Sequence, residues 1–417
     1  MIIHKDSLEW LKEQEADSID HIITDPPYLI DFMNKGWDSE DNVAGSKEYW
    51  EQALRVCKTG SYALVFGHSR THHRVMVAME DAGWEIRDTI MWLYGEGFPK
   101  SRNLGDGWGS CLKPAYEPII LARKPFDGSL QDNWKKNSLG GLNIDACRVR
   151  AEDKAKFPVG EYTTDTSVGK IRPTNRTEDT NPEGRFPANV ILSHNPECKL
   201  VGETTETIIG GNKGKSGFAE GYTSGDFTKK ESPIDIYECE DDCPIKLLDT
   251  QAPKTGNGHK PKAKITGYGK RYGGTETYDG AGERVDGLGG ASRFFYCAKV
   301  KSKERDLGCE NLEDKPSQLN SGGLGRKISV DKRIEKHGTN TPTAKNTHPT
   351  IKPIKLMEYL VKLVSKEGQT ILDPFAGSGS TGLACKNLKR NYILVEKEDE
   401  YIPIIRARVG EKETEDT

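Results

Sequence analysis

A chain of 417 residues with 60 Lys and Arg against 64 Asp and Glu is long enough to bury a large core. Its net charge of -4 does not by itself announce a nucleic-acid binder, although a local basic groove would suffice for one. No apolar run reaches the ~18 residues of a membrane span, and the start MIIHKDSLEWLKEQ lacks the basic-then-apolar order of a secretory signal, so a cytoplasmic protein with no membrane partner is expected.

In chain order, the first apolar run is His21-Ile22-Ile23-Thr24, a strand stopped by Asp25-Pro26-Pro27-Tyr28 because proline cannot continue a central strand. Residues 46–59 read as a helix stopped by Gly60, Tyr62–Phe66 as a strand, and residues 69–82 as a helix stopped by Gly83. Trp84–Tyr94 and Glu117–Ala122 read as further strands. Between about 125 and 345 periodicity fades and Gly, Thr, Asn, Lys and Asp dominate, with short ordered islands at Pro187–Ser193 and Ser292–Ala298. Such a stretch is either a partly disordered insert or a ligand-embracing one carried on a rigid scaffold. Regular patterning returns with a helix over 353–365, a strand Thr370–Leu372, a glycine turn, a helix over 380–389, a strand Asn391–Val395 and a helix over 400–409. Strands alternating with helices predict an α/β fold around a largely parallel sheet.

The turn Asp373-Pro374-Phe375-Ala376-Gly377-Ser378-Gly379 follows a strand and opens a helix. Its glycines let the backbone approach a ligand, and its carboxylate suits a ligand bearing a cation. Glu396 ends the next strand, where an acid can accept hydrogen bonds from both hydroxyls of a ribose. A phosphate loop is disfavoured because no lysine follows Gly379, while a nicotinamide enzyme stays open on this motif alone. At the other end of the chain, Asp25 and the carbonyl of Pro26 can each accept one N–H of an exocyclic amine and so localise its lone pair. The two prolines hold that carbonyl in a fixed orientation, and Tyr28 offers a face for a base.

Together these segments closely resemble the beta class of amino DNA methyltransferases, in which a DPPY segment comes first, a target-recognition region follows, and FxGxG comes last. The resemblance covers roughly 190 residues. It implies a circularly permuted Rossmann-like methyltransferase sheet with a long irregular inserted target-recognition region. Residues 1–125 would form the catalytic half, 126–345 the insert and 346–417 the cofactor half. By the same resemblance Asp25, Pro26, Pro27 and Tyr28 are catalytic. S-adenosylmethionine would be held by Asp373, Phe375, Ala376, Gly377, Ser378, Gly379 and Glu396. It would also be met by Asp6 and by His348, Thr350 and Lys352 of the segment HPTIKP. Lys113–Pro118 resembles the start of a late strand, and Trp37-Asp38 a loop that closes over the substrate. Leu29 departs from the pattern, since many relatives carry glycine there. Asp at the first DPPY position implies N6 of adenine in double-stranded DNA as the target, reached by flipping the base out of the helix. Cytosine N4 is the near alternative. An RNA or protein-amide methyltransferase, usually with Asn at that position, and a non-catalytic nucleic-acid module are more distant ones.

DNA contact is expected from the middle, where residues 253–272 hold six Lys and Arg and no acid, among them Lys260, Lys262, Lys264, Lys270 and Arg271, with Arg293 further on. A solvated loop is the plainer reading of the same charges. His194 and Cys198 are four apart, as are Cys239 and Cys243, and two such pairs can close a structural zinc site; ordinary packing cysteines are the alternative. The nine cysteines otherwise read as reduced thiols. Homodimer formation and the DNA recognition sequence stay open.

Overall fold

The computed structural model describes residues 1–30, 38, 42–95, 101–149, 185–195, 198–209, 229–241, 243–251, 295–298, 304–316 and 343–411. In chain order the strands are β1 Ile2–His4, β2 His21–Thr24, β3 Tyr62–Phe66, β4 Glu85–Leu93, β5 Asn103–Gly105, β6 Trp108–Gly109, β7 Tyr116–Arg123, β8 Val190–Ser193, β9 Lys199–Ile209, β10 Lys229–Glu238, β11 Tyr296–Ala298, β12 Lys315–Pro316, β13 Thr343–Ala344, β14 Thr370–Asp373 and β15 Asn391–Glu396. The α-helices are α1 Ser7–Glu13, α2 Lys47–Val56, α3 His72–Asp81, α4 Leu130–Asn137, α5 Pro244–Gln251, α6 Ile354–Val364, α7 Ser380–Asn387 and α8 Ile402–Val409.

Nine strands of the described residues form one sheet in the order β1-β15-β14-β2-β3-β7-β4-β8-β11. All neighbours run parallel except at β7, which is antiparallel to both β3 and β4. The central strands β2 and β3 are buried along their whole length because helices cover both faces. Alternation sorts their side chains. Ile22, Ala63 and Val65 face a layer built by α1, α2 and α3, while Ile23, Leu64 and Phe66 face α6. The result is a three-layer α/β/α arrangement.

The first turns of the helices follow from their caps. Asp6 accepts from the backbone N–H groups of Leu8 and Glu9 at the head of α1, and Ser46 does the same for Tyr49 in α2. Helix α2 ends three residues earlier than its sequence pattern suggests, because Cys57 leaves the helix to pair with Ile19, and it starts one residue later because Ser46 is its cap. The larger difference lies in the middle of the chain. Both of its ordered islands join the main sheet, β8 beside β4 and β11 beside β8, so the sheet is not built from the two ends alone. The described residues contain no helix long and apolar enough to cross a membrane.

His21, at the start of β2, is 1% exposed, and its Nδ1 accepts the backbone N–H of Tyr62 at 3.1 Å. Burial pulls its pKa down to about 4. The unfolded chain, with histidine near its ordinary value, therefore takes up this proton first. Stability is expected to fall as pH drops from about 6.5 toward 4, by roughly 3 kcal/mol from this group when fully developed. Urea denaturation of His21→Gln, whose amide oxygen can still accept from Tyr62, should show a shallower loss over that window than the parent chain.

Candidate active site

The parallel order β15-β14-β2-β3 places the carboxyl ends of four strands side by side, the edge where open α/β sheets bind ligands. Asp25-Pro26-Pro27-Tyr28 leaves β2 there, Asp373–Ser378 leaves β14, and Glu396 ends β15. All of them line a single cavity of about 1610 Å³. Thr24 donates its hydroxyl to Asp373 Oδ1 at 2.7 Å and so ties the two segments together.

At one end of this cavity, Asp25 sits beside the ammonium of Lys352. Nζ is hydrogen-bonded to Asp25 Oδ2, lies 3.4 Å from Glu117 Oε2 and donates to the Tyr28 hydroxyl at 3.2 Å. Tyr28 in turn donates to Glu117 Oε2 at 2.9 Å. The lysine side chain is only 7% exposed. Burial pulls its pKa down, but the carboxylates of Asp25 and Glu117 outweigh that and hold it above the usual lysine value. Burial and the same two acids push the Tyr28 phenol well above its ordinary pKa. Asp25 Oδ1, by contrast, is buried with no hydrogen-bond partner among the described residues.

Two features here differ from the sequence reading. Lys352, expected near a cofactor, directs its charge to the DPPY segment. Glu117 was not singled out as a site residue, although a carboxylate at the head of the apolar run Pro118–Ala122 was the available signal. Leu29, the departure from the DPPY-G pattern, has a φ of 59°, a left-handed conformation that costs a non-glycine residue about 1–2 kcal/mol. Its backbone N–H donates to the buried Asp38 at 3.0 Å, and its side chain packs in the core. These contacts hold the conformation that glycine adopts without strain.

The other end of the cavity is built around the glycine turn. Gly377 has a φ of +52°, and a Cβ there would lie 2.7 Å from His348 Nε2. Gly379, with a φ of +75°, backs onto Ile405. Arg408, buried on α8, grips the turn from behind, donating to the Ser378 carbonyl at 3.0 Å and to the hydroxyls of Ser378 and Ser380. Glu396 accepts the N–H of Gly377 at 2.7 Å on one oxygen and that of Glu398 at 2.8 Å on the other. Burial raises its pKa to about 7.

Asp373 differs from expectation. Thr24 and the backbone N–H of Phe375 occupy one oxygen, and Thr381 occupies the other at 2.5 Å. Its carboxylate is spent on joining strand to turn. Burial still raises its pKa to about 6. His348 has Nδ1 2.5 Å from the Thr350 carbonyl oxygen, and burial lowers its pKa to about 4, so the ring is neutral at pH 7. Asp6, Thr350, Phe375 and Ala376 also line the cavity, with Asp6 serving as the cap of α1 and lying 3.6 Å from the Lys397 ammonium.

His194, Cys198, Cys239 and Cys243 converge in space, away from this cavity. Lys260, Lys262, Lys264, Lys270, Arg271 and Arg293, the residues expected to meet DNA, lie outside the described residues, as does Trp37. Removing the charge at position 352 is expected to leave Asp25 and Glu117 facing each other half-buried. Lys352→Met should lower unfolding stability by about 3–5 kcal/mol. Adding Glu117→Gln should recover part of the loss in a double-mutant cycle read by denaturation.

Residues 19–407 match the family described as DNA methylase. The type II methyltransferase M.HindIII of Haemophilus influenzae is 47% identical over 228 residues, covering 37% of this chain and 74% of that protein. M2.DpnII of Streptococcus pneumoniae is 39% identical over 105 residues, 24% of this chain and 37% of that protein. M.HinfI of Haemophilus influenzae is 42% identical over 119 residues, 28% of this chain and 32% of that protein. The chain thus spans about a third of the length of two of these relatives and about three quarters of the other. A family match over nearly the whole chain, with the two segments at the carboxyl edge of one sheet, makes this protein a member of the DNA methylase family.

Proposed function

We propose that the chain transfers a methyl group from S-adenosylmethionine to N6 of adenine at a specific site in double-stranded DNA, as an amino methyltransferase of the beta class with a circularly permuted Rossmann-like domain. The observation that carries this reading is that Asp25–Tyr28 and Asp373–Ser378 line the same cavity.

The residues present suit the cofactor. The glycine turn leaves room that a Cβ would close against His348. Glu396 has both oxygens held in place by backbone N–H groups, with lone pairs remaining for two ribose hydroxyls. When bound, S-adenosylmethionine supplies a methyl group activated on a sulfonium.

The chain's own task is to present the amine. The lone pair of adenine N6 is delocalised into the ring, and N–H acceptors localise it. Asp25 Oδ1, a buried acceptor with no hydrogen-bond partner among the described residues, takes one N–H, and the Pro26 carbonyl takes the other. Lys352 holds Asp25 in place from its far oxygen, so little reorganisation accompanies reaction. The surplus proton of the methylated amine leaves to solvent, since Lys352 already holds its own. A base reaches such a pocket by leaving the duplex, at a cost of a few kcal/mol. Residues 126–345 read the DNA on this view, and the basic stretch 253–272 meets phosphates.

The test is transfer of a labelled methyl group to DNA of mixed sequence, followed by mass analysis of the nucleosides. N6-methyladenine is the expected product. N4-methylcytosine would move the target, and modified RNA or protein with unmodified DNA would overturn the reading. Asp25→Ala should lower turnover by about 100-fold or more while cofactor affinity stays within a few-fold. Calorimetry offers a second check. Below about pH 7 Glu396 is protonated in the free protein and loses acceptor capacity. Cofactor binding should therefore strengthen as pH rises through 7, with up to tenfold lost per unit below it, and Glu396→Gln should bind more weakly with a flat profile.

A further inference from the structure

The structure assigns a structural zinc site to His194, Cys198, Cys239 and Cys243, at the base of the β9–β10 hairpin. Their ligand atoms all lie within 4.8 Å of one another, and three of the four side chains are buried. His194 Nδ1 is 3.3 Å from the Cys239 sulfur and 3.7 Å from that of Cys243. A tetrahedral zinc with ordinary Zn–S and Zn–N lengths needs donor separations of roughly 3.5–3.8 Å. The cluster meets that with sub-ångström to ångström adjustments.

The sulfurs are also prepared as acceptors. Backbone N–H groups of Lys246, Asn195 and Ile245 are directed at Cys243, and that of Glu240 at Cys198. A thiolate accepts such bonds well and a thiol poorly. With three thiolates and an imidazole the set closes around the ion and leaves no open position, which is the signature of a structural site. Binding would displace the three thiol protons.

Topology explains the long gap between the two ligand pairs. Strands β9 and β10 are antiparallel partners, with Lys199 opposite Glu238 at their open end. Cys198 and Cys239 flank that pair, so the whole hairpin is looped out between the ligands. His194 follows β8, and Cys243 immediately precedes α5. The ion would therefore clamp the hairpin to the carboxyl end of β8. Ser193, next to His194, accepts the indole N–H of Trp92 at 2.7 Å, and Trp92 lines the cavity, so the clamp is one side chain away from the cleft wall.

The experiment measures metal in the full-length chain, purified without a metal-affinity tag, by elemental mass spectrometry. About one zinc per chain is expected. Replacement by cobalt(II) should give tetrahedral d–d bands together with a thiolate-to-metal charge-transfer band. Stripping the parent chain with a chelator should lower its Tm, and added zinc should restore it. Cys198→Ser and Cys243→Ser should lose most of the metal, while Cys111→Ser, an exposed cysteine outside the cluster, should keep it. A chain with reduced thiols and less than about a tenth of an equivalent of zinc, no cobalt bands, or a disulfide among these three cysteines would overturn the assignment. So would equal metal loss in Cys111→Ser.

Discussion

Thr24 and Asp373 are 349 residues apart in the chain and joined by one buried hydrogen bond. The parallel pairing of β2 with β14, Ile22 opposite Leu372, makes that bond possible, and the rest of the site depends on it. A shift of this register by one residue would turn every side chain of one strand to the opposite layer, so the apolar alternation that sorts Ile22 from Ile23 also sets where the two loops end. The carboxylate of Asp373 serves this junction. With both of its oxygens occupied internally, it acts as a fastener between strand, turn and α7 before it acts on any ligand.

The electrostatics of the cleft divide between its two ends. Around Asp25 an ammonium is held between two acids in a largely buried setting, which keeps charge in place where a neutral amine would be presented. Around Glu396 two backbone N–H groups do the holding, and with no cation paired to it among the described residues burial lifts the acid toward neutrality. The contrast has one physical root. Desolvation penalises an isolated carboxylate and is offset when an opposite charge is desolvated with it. On the proposed reading, with an amine presented at one end and a hydroxylated ligand held at the other, the cleft uses both solutions.

The hairpin base stands apart from that chemistry and addresses another difficulty. A long polar stretch with little apolar surface gains little from burial, and cross-linking its ends through a metal reduces the entropy that ordering must overcome. The apolar cluster around the cysteines, Leu192 and Ile245 with Leu93, Val190, Leu248 and Phe295 packed against them, is far smaller than the two clusters that flank the main sheet, which is the circumstance in which a metal contributes most.

Much of this was readable in the amino-acid sequence. The apolar runs of β2, β3 and β14 with their punctuating Pro and Gly, the amphipathic helices, the Asp25–Tyr28 and Asp373–Gly379 segments and the two His/Cys pairs are local patterns, and local propensity and periodicity determine them. What only the tertiary structure decided are the partners. The antiparallel course of β7 brings Glu117 to the cleft, Lys352 turns toward Asp25, the two islands of the middle region extend the sheet, and the hairpin folds His194 and Cys198 onto Cys239 and Cys243. Each of these depends on which distant strand lies beside which. That choice is made by the summed packing of whole layers, and no window of neighbouring residues contains it.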